Sequence, residues 1–228
     1  MKRALLFGSS GLVGSKLLKL LAESKLFDEI VNVVRKSQRE NSNGYREIVV
    51  DFNRLFAYSH LFEAEVMFCC LGTTLKKAGS KEHFRQVDLE YVVELSRIAE
   101  RNKVRKFFVI SSINAHPFSS NFYLRTKGEM ERLVLASDIP EKILLRPSLI
   151  RGKRNEIRLA ESFAGYFMKS FQWMFIGRFR KYRPIDAEMI AKCMCAMSKE
   201  NFGLEIVESD QIFDIATGFL IPTKSLYP

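Results

Sequence analysis

Short apolar runs alternate with helical patterns along the first two thirds of the chain. Residues 4–6 form the first run, and Val13, Leu17 and Leu21 then recur every four residues, as in a helix that buries one face. The run at 66–71 is continuously apolar, which is typical of a parallel strand covered on both faces. Further strands are predicted at 29–34, 45–50, 107–110 and 142–146.

The segments between these strands predict helices. One helical pattern covers 81–102 and another covers 120–137. Strands separated by helices or short connectors, without a hairpin signal, predict an α/β fold with a Rossmann-type doubly wound parallel sheet. The alternation weakens after Ile150. We therefore expect one domain over 1–228, in which 151–228 form a small C-terminal substrate-side lobe.

Three glycines follow the first strand at a spacing of three. Gly8, Gly11 and Gly14 stand between that strand and the first helix. Glycine allows a sharp turn and a close approach of the backbone to a pyrophosphate, and the helix N-terminus then faces the anion. The order of strand, turn and helix predicts a dinucleotide-binding turn. An ordinary strand-to-helix turn is the alternative.

The ends of the next strands bear on the choice of cofactor. Arg35 and Lys36 follow the second strand, where an acidic residue would bind the ribose of NAD and a basic one suits the 2′-phosphate of NADP. We therefore predict NADP (NADPH), the alternative being a basic strand end in a basic protein. Asp51 follows the third strand and is a candidate partner for the adenine amino group. Gly72 and Thr73 follow the fourth strand, where they would lie against the dinucleotide.

The fifth strand leads into the residues that carry candidate chemistry. Ser111 and Ser112 end that strand, and Tyr123 and Lys127 lie four residues apart on the next predicted helix. Residues at i and i+4 share a helix face, so the ammonium group would stabilise the phenolate of the tyrosine. We predict Tyr123 as proton donor, Lys127 as its partner and holder of the nicotinamide ribose, and Ser112 as the hydrogen-bond donor to the substrate. Ser111 is the alternative to Ser112.

Net charge, cysteine content and the length of the apolar segments bear on which classes of protein the chain can belong to. The chain has 228 residues and a formal net charge of +10, with basic clusters late in the sequence. Basic clusters of this kind also raise the hypothesis of nucleic-acid binding, which ranks below the two functions proposed at the end of this subsection. The four cysteines form two close pairs without histidines at ligand spacing, so we predict reduced core thiols and no metal site. No transmembrane segment or signal peptide is evident, and we expect a cytoplasmic protein.

A late segment, 155–176, carries aromatic residues at helical spacing. Core packing of the lobe, a substrate lid and a surface for a protein partner are the main interpretations. Peripheral membrane contact ranks lower. The oligomeric state is open between monomer and homodimer.

The chain resembles an atypical short-chain dehydrogenase/reductase, and more closely the Tat-interacting-protein NADP-binding oxidoreductase family, including its bacterial members. The resemblance rests on residues 8–14, 69–74, 77–79, 87–88, 111–112, 119–129 and 146–147. It implies an NADP-binding Rossmann fold with Tyr123 as the proton donor or acceptor. It also implies that the cofactor contacts Ser10, Gly11, Leu12, Val13, Arg35, Lys36, Leu71, Gly72, Lys127, Ile150 and Arg158.

One position departs from the commoner short-chain dehydrogenases. They carry an asparagine that completes a proton relay, and the comparable place here is Asp88. Our first hypothesis is an NADPH-dependent oxidoreductase that reduces a carbonyl of a small-molecule substrate. The alternative is an NADPH-binding regulatory or scaffold protein with little turnover that controls a protein partner.

Overall fold

A parallel β-sheet forms the centre of the protein. The computed structural model describes residues 1–37, 44–152 and 177–220, and every structural statement below refers to them. The seven strands of the main sheet lie in the order β3-β2-β1-β4-β5-β6-β9, and all pairs are parallel. Their bounds are β1 Arg3–Phe7, β2 Glu29–Val34, β3 Arg46–Val49, β4 Val66–Cys69, β5 Lys106–Ile110, β6 Glu141–Arg146 and β9 Ile206–Glu208. A short second sheet pairs β7 (Ile150–Arg151) with β8 (Ile185–Asp186).

Helices cover both faces of the sheet, as the continuously apolar strands require. The α-helices are α1 Leu12–Ser24, α2 Leu75–Ala78, α3 Lys81–Arg85, α4 Tyr91–Arg101, α5 Phe122–Leu135, α6 Ala187–Lys199 and α7 Ser209–Thr217. Two 3-10 helices span Phe52–Leu61 and Gly177–Tyr182. A π-helical segment, Gln86–Glu90, joins α3 to α4, so the helix predicted over 81–102 is one continuous element with a wider turn inside it.

The core has two halves, one on each face of the sheet. On one face Leu5, Phe7 and Val33 pack with residues of α4, α5 and the first 3-10 helix. On the other, Leu6 and Phe68 pack with residues of α1, α6 and α7. The doubly wound fold predicted from the sequence is therefore confirmed.

Part of the predicted C-terminal lobe belongs instead to this central fold. Strand β9 pairs with β6 at the edge of the main sheet, and α6 packs against α1. The side chains of Ile190, Cys193 and Met194 are fully buried in that half of the core. Within the range predicted as a lobe, residues 187–217 thus lie in the central α/β fold, while the division of the chain into domains stays a prediction. The aromatic segment 155–176 and Arg158 lie outside the described residues.

An arginine ties the last strands to the loop beyond β5. Arg146 on β6 contacts Glu131 of α5 (Nη2–Oε2 2.5 Å) and Glu208 of β9 (Nη1–Oε1 3.2 Å). It also donates to the carbonyl oxygen of Ala115 at 3.3 Å. Hydrogen bonding to Glu131 raises the pKa of Arg146. This charge therefore fixes the loop that leads from β5 into α5.

The carboxyl ends of the parallel strands meet at one edge, where ligands of open α/β sheets bind. The sheet order reverses between β1 and β4, which places a crevice between the two loops that follow them. In the described ranges no helix combines the length and the apolar character that crossing a membrane requires.

Candidate active site

The turn after β1 is held so tightly that its glycines have no room for side chains. Gly8 has φ +86°, and a Cβ there would lie 2.6 Å from the carbonyl carbon of Cys70. A Cβ on Gly14 would lie 2.2 Å from the carbonyl oxygen of Gly8. The Gly11 amide donates to that same oxygen at 2.9 Å. Glycine is therefore required at Gly8 and Gly14 because the turn, the helix and the chain after β4 pack closely together there.

Helix α1 begins directly at this turn. Its N-cap is Gly11, no side chain caps it, and its first turn carries no acidic residue. The backbone amides at its N-terminus therefore form an anion-binding end of the kind that holds a pyrophosphate.

A cleft of about 710 Å³ opens above the turn. Most of the predicted cofactor residues line it, and so do both members of the tyrosine–lysine pair. The predicted residues that it brings together are Gly8, Ser10, Gly11, Leu12, Val13, Arg35, Lys36, Leu71, Gly72, Thr73, Tyr123, Lys127 and Ile150. Gly14 is buried beneath the turn, and Asp51 and Ser112 are not among the lining residues.

The end of the cleft beside β2 differs from the sequence prediction at Asp51. Its carboxylate accepts from the Asn53 amide at 3.0 Å and so caps the first 3-10 helix. Phe52 and Tyr91 line the cleft instead. The Tyr91 hydroxyl donates to Asn53 Oδ1 at 2.6 Å, and burial raises the pKa of Tyr91. Tyr91 carries no sequence signal for this position beyond its place on the apolar face of a predicted helix.

Tyr123 and Lys127 lie on successive turns of α5. The side chain of Asn121 caps this helix by accepting from the Leu124 amide at 3.2 Å. The ring of Tyr123 is half-buried, with its centroid 5.6 Å from that of Phe84. The predicted i and i+4 placement therefore brings both side chains to the cleft.

Lys127 is almost completely buried and is surrounded by acceptors. Its Nζ lies 2.7 Å from Asp88 Oδ1 and donates to the Ile110 carbonyl oxygen at 3.2 Å. Burial by itself would lower the pKa of Lys127, but the negative charge of Asp88, with a smaller contribution from Tyr123, raises it overall. The lysine is therefore an ammonium group at neutral pH.

The two serines after β5 have different surroundings. Ser111 is buried and lines the cleft, and its hydroxyl has no hydrogen-bond partner among the described residues. The hydroxyl of Ser112 donates to the Ile113 carbonyl oxygen at 3.3 Å. A buried hydroxyl without a partner is costly unless a ligand supplies one. The geometry therefore favours Ser111 over Ser112 as the substrate contact.

Cys69 and Cys193 are buried thiols, whereas Cys70 is partly exposed and lines the cleft. Burial raises the pKa of Cys69 to about 12, and it also raises the pKa of Cys193. Thiols with such values stay protonated and unreactive at neutral pH. Among the described residues, no group of three or more His, Cys, Asp and Glu side chains is arranged to hold a metal ion.

The fold and the cleft define a dinucleotide-binding protein of the Rossmann type, and comparisons with known proteins identify its family. The model of the NAD dependent epimerase/dehydratase family matches residues 4–164. The chain belongs to this family of NAD(P)-binding atypical short-chain dehydrogenases/reductases.

Two relatives support the narrower resemblance seen in the sequence. Protein HTATIP2 from Rattus norvegicus is 34% identical over 173 residues, which cover 74% of this chain and 71% of that protein. Protein FMP52, mitochondrial, from Debaryomyces hansenii is 30% identical over 202 residues, which cover 86% of this chain and 88% of that protein. The chain is thus homologous to both, and the resemblance to Tat-interacting-protein oxidoreductases is confirmed.

Solved structures show the same fold at low sequence identity. A UDP-glucose 4-epimerase from Thermotoga maritima, solved with UDP-glucose, superposes with a TM-score of 0.67 and 14% identity and covers 98% of this chain and 84% of its own. MoeE5 in complex with UDP-glucuronic acid and NAD gives a TM-score of 0.65 and 17% identity, covering 86% and 72%. These likenesses establish the fold of the chain.

Proposed function

We propose that this protein is an NADPH-dependent oxidoreductase that reduces a carbonyl group of a small molecule. The observation that carries the proposal is that Ser111, Tyr123 and Lys127 line the same cleft as the glycine turn. A dinucleotide that lies with its pyrophosphate at the N-terminus of α1 would extend along this cleft, with its nicotinamide toward the tyrosine. Cofactor site and candidate proton donor are thus parts of one site.

The preference for NADP rests on the charges that line the cleft. Arg35 and Lys36 are exposed at the end of β2, where the 2′-phosphate of NADP would lie. Within the described part of the lining, Asp88 is the one acidic residue, and it pairs with Lys127. A free 2′-hydroxyl would therefore find no carboxylate at the end of β2, whereas a phosphate would find two cations.

Each side chain at the other end has a distinct role in this proposal. The bound NADPH supplies the hydride. Tyr123 donates a proton to the carbonyl oxygen of the substrate, and the Ser111 hydroxyl donates a hydrogen bond to the same oxygen. The charge of the Lys127 ammonium group stabilises the phenolate that Tyr123 becomes after it donates.

The test is a screen of carbonyl compounds with NADPH, followed spectroscopically, with the Tyr123→Phe variant alongside. We expect the activity on any substrate found to fall by at least about a hundredfold in the variant, as for loss of a general acid. Tyr58→Phe removes a hydroxyl outside the cleft and serves as the control. Full activity in Tyr123→Phe would refute the assignment of the proton donor.

A second candidate function is an NADPH-binding regulator with little turnover. It is favoured by Asp88, which stands where the commoner enzymes carry a relay asparagine and binds the lysine directly at 2.7 Å. This function predicts tight NADPH binding without NADPH consumption across the carbonyl screen, together with a protein partner whose binding depends on NADPH. Turnover that depends on Tyr123 would exclude it.

The cellular location is also a proposal. We propose the cytoplasm, whereas the FMP52 relatives are named as mitochondrial proteins. Fractionation of the source cells with an antibody against the protein would test this, and recovery in a membrane or organelle fraction would contradict it.

A further inference from the structure

Asp88 is a buried carboxylate that connects two parts of the cleft. It lies in the π-helical segment between α3 and α4 and is 1% exposed. One oxygen, Oδ1, lies 2.7 Å from Lys127 Nζ, and the other, Oδ2, accepts from the backbone amide of Thr73 at 2.7 Å. Both oxygens are thus engaged, each by a group that lines the cleft.

The two partners of Asp88 come from different elements. Thr73 belongs to the loop after β4, and its neighbour Gly72 also lies beside the carboxylate, since a Cβ there would be in van der Waals contact with Asp88 Oδ1 at 3.4 Å. Lys127 belongs to α5, which follows β5 in the chain and packs against the π-helical segment. Charge-assisted hydrogen bonds of this length are among the stronger ones in proteins. The carboxylate therefore links the loop beside the cofactor site to the helix that carries the catalytic pair.

We propose that Asp88 is a positioning residue that orders the Gly72–Thr73 loop and the Lys127 ammonium group as one unit. The inference rests on the proposed function for its catalytic meaning, although the ordering itself is a property of the protein alone. An ammonium group has three N–H donors, and Asp88 and Ile110 accept two of them. One donor remains for Tyr123 or the cofactor ribose, so Asp88 also fixes the direction in which Lys127 can act.

The π-helical turn explains why the carboxylate reaches both groups. A π segment widens the helix by one residue per turn, and such turns recur at functional sites. Here it occurs at Gln86–Glu90, directly where Asp88 must enter the core, while the flanking α3 and α4 are regular.

The experiment compares Asp88→Asn with the control Glu90→Gln, which removes an exposed charge from the same segment. Thr73 and Lys127 contact different oxygens of Asp88, and in asparagine one of these positions becomes an NH2 group, which only donates. The buried ammonium group of Lys127 competes more strongly for the remaining oxygen, so the Thr73 amide loses its acceptor. We expect hydrogen exchange at the Thr73 amide to become about tenfold faster or more, while the amides of the central strand β5 keep their protection. We also expect NADPH to bind several-fold more weakly and, where a substrate is known, kcat to fall as well as the affinity.

Equal acceleration at Thr73 and at the β5 amides would show a merely structural role and would overturn the inference. Unchanged exchange at Thr73 would also overturn it. If Asp88→Asn does not fold because Lys127 is left buried without its counter-ion, the double variant Asp88→Leu/Lys127→Met removes both charges. Its Thr73 amide should exchange faster than in the wild type, and unchanged exchange there would refute the proposal.

The exchange measurement needs neither cofactor nor substrate, so the two proposals can fail separately. Faster exchange at Thr73 with no reductase activity on any carbonyl would leave the positioning role standing and count against the proposed function. Activity that depends on Tyr123, with Asp88→Asn unchanged in exchange, NADPH affinity and kcat, would do the reverse.

Discussion

Replacing Gly8 by alanine tests the account of the phosphate-binding turn. Gly8 has φ +86°, and its Cβ would lie 2.6 Å from both the carbonyl carbon and the carbonyl oxygen of Cys70, and 2.9 Å from the Leu71 amide nitrogen. All three atoms are backbone, so no side chain can rotate away. Either the turn or the end of β4 must move, and both line the cleft.

The loss of stability in Gly8→Ala has two parts, backbone strain and overpacking, and a second glycine allows them to be measured separately. Gly79, at the end of α2, has a similar φ of +76° but nothing within 4 Å of its Cβ. Gly79→Ala should therefore cost only the left-handed conformation, about 1–2 kcal/mol. Gly8→Ala adds overpacking, which typically costs about 1–3 kcal/mol, for a total of about 2–5 kcal/mol.

Thermal unfolding and calorimetric titration with NADPH measure the two consequences. One kcal/mol corresponds to about 2–4 °C in Tm for a chain of this length, so Gly8→Ala should lower Tm clearly more than Gly79→Ala does. We expect the Kd for NADPH to rise at least about tenfold in Gly8→Ala and to stay within about twofold of wild type in Gly79→Ala. Wild-type affinity in a folded Gly8→Ala variant would refute this account of the turn.

Three further predictions concern the cleft and its surroundings. Arg35→Ala should raise the Kd for NADPH about tenfold and leave the Kd for NADH unchanged; the factor is modest because Arg35 is exposed to solvent. Lys19→Ala is the control, and equal effects on both cofactors would contradict the prediction. Once a substrate is found, Ser111→Ala should lower kcat/KM at least about tenfold and Ser112→Ala should change it little, and the reverse order would restore the sequence-based choice. Because burial raises the pKa of Cys69 to about 12, its thiol should stay protonated at pH 8 and react with iodoacetamide only after unfolding. Fast labelling of Cys69 itself in the folded protein, located by peptide mass spectrometry, would be inconsistent with this burial.

The main part of the fold is predictable because local signals and burial agree. The strands from β1 to β6 are short apolar runs between helical patterns, and the glycine turn follows the first of them. Strand β9 is not predictable from the sequence pattern because it has only three residues, Ile206–Glu208, and pairs with β6, which is distant in sequence. Its position depends on tertiary packing, which the local pattern does not encode.

In the candidate site, too, some features follow from the local sequence and others depend on tertiary structure. Tyr123 and Lys127 are four residues apart on one helix, so the sequence alone places them together. The choice between Ser111 and Ser112 depends on which way the chain turns after β5, and neither spacing nor residue type reveals that. The sequence singles out Asp88 by its position, but its direct contact with Lys127 depends on a π-helical turn that the sequence pattern does not show.

The most direct test of the account is calorimetric titration of the wild-type protein with NADPH and with NADH. The cationic end of β2 and the anion-binding N-terminus of α1 predict that NADPH binds at one site per chain, about tenfold or more tighter than NADH. Equal affinity for the two cofactors, or no binding of either, would contradict the central claim that this cleft is an NADPH site.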